Sequence, residues 1–70
     1  MITAELRSAR VIDIVRAEPG VILDLADFGI SPRYLDWTLE AATTDLGVNL
    51  DRVVSKVQPR FDRAHLRAVV

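Results

Sequence analysis

Cysteine is absent from these 70 residues, which removes disulfides, thiolate chemistry, zinc held by Cys and iron–sulfur ligation together. Unbroken apolar runs are short. None exceeds three residues, as at 21–23, whereas about 20 are needed to cross a bilayer. No signal-peptide pattern opens the sequence, and a chain below about 80 residues without such staples is more often cytosolic than secreted, so the expected location is the cytoplasm. Histidine occurs once, at His65. A di-iron or zinc site needs several converging His and carboxylate ligands, which one His in a basic segment cannot supply. No glycine-rich phosphate loop and no grouped nucleophile, base and orienting residue is present. The expectation is therefore a non-enzyme without cofactor, metal or small-molecule substrate. The carboxylate pairs Asp24 and Asp27, or Asp13 and Glu18, read as solvent-facing helix positions and not as acid–base pairs.

Half of the residues are apolar, with only three Gly and three Pro. That is the composition of a folded domain and not of a disordered tail. A single domain of this size buries about 60% of its unfolded surface, so its core is small. The net charge of −1 hides an uneven distribution. Residues 1–51 hold four Arg against nine acids, a formal −5, whereas residues 52–70 hold Arg52, Lys56, Arg60, Arg63 and Arg67 against Asp62 alone, a formal +4. An acidic body with a basic tail fits either an anionic partner or neutralisation of the body by the tail, within one chain or between copies.

Periodicity points to helices throughout. Residues 1–7 read as an extended or frayed lead-in from which Ile2 and Leu6 can pack down. Ser8 is a candidate N-cap for a helix over 9–17 with Val11, Ile14 and Val15 as its stripe and Ile12 beside it. Pro19 suits the first turn of a second helix over 19–28. There Val21, Ile22, Leu25, Ala26 and Phe28 cover so wide a face that a central position in the core is expected. Gly29 and Gly47 read as helix stops. Between them Leu39, Ala42 and Leu46 share one helical face, and Glu40, Thr43 and Asp45 point elsewhere. Ser31 and Pro32 form a cap-and-first-position pair, which leaves two readings: one helix over 32–46, or a compact 31–37 loop followed by a shorter helix capped by Thr38. The second is preferred. Asn49 caps a helix through about Val57, carrying Leu50, Val53, Val54 and Val57 on one face. Pro59 kinks or ends it, and the basic 59–70 segment follows as a helical extension with Phe61, Leu66 and Val69 as apolar contacts. No strand-like alternation occurs, so the fold expected is all-α, a compact bundle of four to five short helices.

The ordered set ITAEL, VIDIVRAEPGVILDLADFGI, TLEAA and LGVNLDRVV resembles a family of small helical domains. These occur at the N-terminus of iron–sulfur cluster repair di-iron proteins and as stand-alone hybrid-cluster-protein-associated redox disulfide domains. The resemblance covers about residues 2–58 and is most specific at Gly29 and Ile30, at Thr38, Leu39, Glu40 and Ala41, and from Gly47 to the 50–54 helix. It implies the helical fold. Family members carry one or two cysteines in the loop after the glycine; this loop is SPRYLDW, without cysteine, so the implied redox activity does not transfer. What the resemblance leaves is a scaffold that docks onto a metal- or redox-associated protein.

Arg33, Tyr34, Asp36 and Trp37 lie within five residues of one another, a composition enriched at protein interfaces. They are the candidate partner-binding residues, for a protein partner or for self-association. The structural alternative is that Trp37 and Leu35 close the core while Arg33 and Asp36 are solvated or pair locally. A cation–π contact of Arg33 with Tyr34 or Trp37 fits both. Two other readings attach to the same stretch. LADFGISPRYLDWTLEAA is superficially like a helix-turn-helix, but Asp36, Glu40 and Asp45 would face a polyanion, so nucleic-acid binding is the lesser expectation. Residues 29–50 also have the spacing of an acyl-carrier second helix, with Ser31–Pro32 in place of the Asp-Ser pair that bears the prosthetic arm.

Overall fold

Two helices end where glycine lets the chain turn left-handed, at Gly29 (φ 83°) and Gly47 (φ 70°). Each stop closes a pair of backbone bonds. Gly29 N–H donates to the Ala26 carbonyl and Ile30 N–H to that of Leu25, both at 3.0 Å; Gly47 N–H donates to Thr44 at 3.2 Å and Val48 N–H to Thr43 at 2.9 Å. These bonds satisfy carbonyls that a helix end leaves without partners. The starts of the helices over 39–46 and 50–69 are capped just as locally. Thr38 Oγ1 accepts from Ala41 N–H at 3.1 Å, and Asn49 Oδ1 accepts from the N–H groups of Asp51 and Arg52 at 2.8 and 3.3 Å.

The computed structural model describes residues 3–69, with side chains described for 5–63. Its helices are α1 (Thr3–Ser8), α2 (Val11–Ala17), α3 (Val21–Asp27), α4 (Leu39–Leu46) and α5 (Leu50–Val69), with a 3₁₀ turn at Pro32–Tyr34 between α3 and α4. The fold is all-α. Among the described residues there is no strand, only an isolated antiparallel bridge between Arg10 and Thr38. No helix among them is long and apolar enough to cross a membrane. The 31–37 segment is a loop and turn, so a single helix over 32–46 does not form, and Ser31 makes no side-chain cap.

α5 is the backbone of the bundle. Val53, Val54, Val57 and Phe61 form its buried stripe, and it packs against α3, α1 and α4. Each such side chain contributes roughly 1.5–3 kcal/mol by leaving water. α5 does not end at Pro59, although proline removes one helical N–H. Two anchors beyond it hold the helix on the bundle: Phe61 is buried, and Arg60 grips Asp24 of α3 through Nε–Oδ2 at 2.5 Å and Nη2–Oδ1 at 3.3 Å. Leu66 and Val69, expected as further contacts, lie with His65 and Arg67 outside the residues whose side chains are described.

Several expectations are corrected by tertiary packing. Residues 3–8 are helical and not a lead-in; six residues are too few to hold a helix alone, but Leu6 is fully buried where α1 meets α4 and α5, and Arg7 pairs with Asp51 at the start of α5. Ile2 lies outside the described residues. Ser8 is the last residue of α1 and the N-cap position of α2 is Arg10, without a side-chain cap; the first N–H groups of α2, of Val11 and Ile12, donate to the carbonyls of Trp37 and Leu35 at 2.9 and 3.0 Å. α3 is a surface helix and not a central one. It buries Val21, Asp24 and Leu25 and leaves Ile22 46% and Leu23 66% exposed. Thr43, expected to point away from the face of Leu39, Ala42 and Leu46, is buried with Leu39 and Ala42, and its hydroxyl is satisfied within the helix by donating to the Leu39 and Glu40 carbonyls at 3.0 and 2.9 Å. Asp24 is likewise no solvent-facing acid: it is 6% exposed, and Gly20 leaves the room for its partner, since a Cβ there would meet Arg60 Nη1 at 2.7 Å.

Candidate functional site

The 31–37 loop is a chain of tight turns stitched to the rest of the molecule. Tyr34 N–H donates to Ser31, Leu35 N–H to Pro32 and Trp37 N–H to Tyr34, at 3.0, 3.1 and 2.9 Å. Its carbonyls at 35 and 37 cap α2, and Leu39 N–H reaches back to Ala9 at 2.9 Å. A backbone tied at both ends and in the middle presents its side chains with little freedom left to lose.

The four candidate residues separate into a support and a surface. Tyr34 is the support. It is 3% exposed, belongs to the hydrophobic core, and its hydroxyl donates to Asp45 Oδ2 at 2.7 Å. That hydrogen bond, reinforced by burial and by the carboxylate's charge, pushes the phenol above the ordinary tyrosine range against a smaller opposing effect of Arg33. Arg33, Asp36 and Trp37 are exposed. The Arg33 guanidinium lies 5.0 Å from the centre of the Tyr34 ring, and Trp37 meets that ring edge-on at 5.1 Å and 80°. So the ring under the loop is Tyr34 with Leu35 beside it, while Trp37 remains 37% exposed.

Sequence reasoning missed Asp45 and the Asp24–Arg60 pair. Asp45 had a legible signal: an acid in the last turn of α4 opposes the helix dipole, so its position calls for a partner. Asp24 and Arg60 are 36 residues apart, and nothing local joins them. The pair makes the Arg60 guanidinium hold its proton more tightly, chiefly through the hydrogen bond to Asp24.

Clefts open near these elements. One of about 470 Å³ is bounded by Trp37, Thr38, Glu40, Ala41, Thr44 and Asp45. A second of about 250 Å³, at the end of α3, is lined by Ile22, Ala26, Gly29, Ile30, Ser31 and Pro32. A third, of about 580 Å³, lies between the end of α3 and the first turns of α5, with Phe28, Asn49, Asp51, Arg52, Ser55 and Lys56 around it. The large apolar side chains left exposed among the described residues are Ile22, Leu23 and Trp37. The chain matches no family model, no curated protein and no solved structure.

Proposed function

We propose that this chain is a non-catalytic, cytoplasmic interaction module that binds another protein, or itself, through the 31–37 loop and the adjoining helix ends. The exposed indole of Trp37 carries the reading: it is held on a backbone-anchored loop over a locked Tyr34. A rigid aromatic that still has surface to lose makes a good anchor, because burying it gains much area for little lost freedom. The start of the same loop, Ser31 and Pro32, lines an apolar cleft with Ile22 at the end of α3. The family resemblance supports one refinement, that a heterologous partner is a metal- or redox-associated protein to which this cysteine-less chain is accessory.

Trp37→Ala tests the reading. With the helical circular dichroism retained, the variant is expected to lose most of whatever protein co-purifies with the native chain, and to lose any self-association. Undiminished association would remove the loop from the function.

A further inference from the structure

Two surfaces of this chain carry opposite charges that find no partner among the described residues. On one, Trp37 keeps 37% of its surface exposed, with Asp36 beside it in the chain and Glu40 lining the same cleft. On the other, the half-buried Phe28 ring lines a cleft with Arg52 and Lys56, four residues apart on α5 and both exposed. Asp51, at the same cleft, is taken by Arg7. Neither Arg52 nor Lys56 has an acidic partner among the described residues, and neither Asp36 nor Glu40 has a basic one.

We infer that the Trp37 knob of one copy docks in the Phe28–Arg52–Lys56 cleft of a second copy of this chain. The chemistry matches at both levels. An aromatic edge meets an aromatic wall, and an indole beside two cations gains cation–π attraction as it loses water. Around that contact Asp36 and Glu40 face Arg52 and Lys56, and complementary charge fixes register and favours encounter. The formal −2 of Asp36 and Glu40 on one copy and +2 of Arg52 and Lys56 on the other then cancel across the contact. Because knob and cleft are different surfaces, the contact is heterologous, and each copy offers both halves. A contact built on one indole is small, so the association is weak and sensitive to salt.

This inference rests on the loop reading above and narrows the partner to the chain itself. Sedimentation of the full chain up to about 1 mM, where even a millimolar dissociation constant is visible, is expected to show mass rising above the monomer. At about 50 mM salt the apparent dissociation constant should be several-fold lower than at about 500 mM, and the single-tryptophan emission should shift to the blue as copies associate. Asp36→Lys with Glu40→Lys should give a monomer, as should Arg52→Glu with Lys56→Glu. An equimolar mixture of these two double variants restores opposite charge at both contacts, so it should regain the wild-type mass. A mixture that stays monomeric, or a wild-type chain that is monomeric throughout, overturns the inference and leaves the loop free to serve another protein. Self-association that survives Trp37→Ala overturns both readings, whereas association lost in Trp37→Ala but indifferent to the four charge changes overturns only the pairing with the α5 cleft.

Discussion

Gly47→Ala isolates one term in the stability of this fold. The residue sits at φ 70°, and an added Cβ meets nothing within 4 Å, so the substitution introduces no clash with neighbouring groups. Only the backbone conformation resists it. An L-residue in the left-handed region costs roughly 1–2 kcal/mol, and the smaller freedom of alanine in the unfolded chain returns about 0.4–1 kcal/mol. The net loss is about 1 kcal/mol, which in a domain this small lowers the melting temperature by roughly 4–8 °C. Urea unfolding followed by far-UV circular dichroism should show a lower midpoint with an unchanged slope, since the surface exposed on unfolding is the same. Gly47→Asn should lose less, because asparagine tolerates this conformation better than alanine. A Gly47→Ala variant as stable as the wild type, or more so, would refute the reasoning that a left-handed stop is what ends α4.

Two further outcomes test the core beneath the loop and the helix beyond the proline. Tyr34 is the only tyrosine, so phenolate absorbance reports it alone; its folded midpoint should lie above the unfolded value near 10. Because the folded pKa is raised, the stabilisation from this hydroxyl is complete below about pH 10 and is lost as pH climbs through the folded midpoint. Asp45→Asn should bring that midpoint down, and a wild-type midpoint at or below the unfolded one would contradict the Tyr34–Asp45 bond. Phe61→Ala removes a ring that is 7% exposed and should destabilise by about 3 kcal/mol. A loss within about 0.5 kcal/mol, the range of ordinary surface changes, would mean that α5 is not packed on the bundle past Pro59.

What could be read from the chain alone is what neighbouring residues decide among themselves. Gly29 and Gly47 stop helices because only glycine takes positive φ without steric cost, Thr38 and Asn49 start them because a short polar side chain reaches a free N–H two or three residues on, and the Val53, Val54 and Val57 spacing marks a buried face. The all-α class follows from these. The same local rules failed wherever a distant element supplied the missing partner. α1 is helical because Leu6 finds a pocket among α4 and α5, and α2 needs no side-chain cap because the carbonyls of Leu35 and Trp37, more than twenty residues away, satisfy its first N–H groups. Asp24 is buried because Arg60 arrives from the far end of the chain. The loop itself was placed correctly, yet its composition does not say which aromatic turns inward. Tertiary structure decides that: Asp45 offers the phenol a hydrogen bond at the base of the loop, so Tyr34 can be buried with its polar atom satisfied and Trp37 is left at the surface.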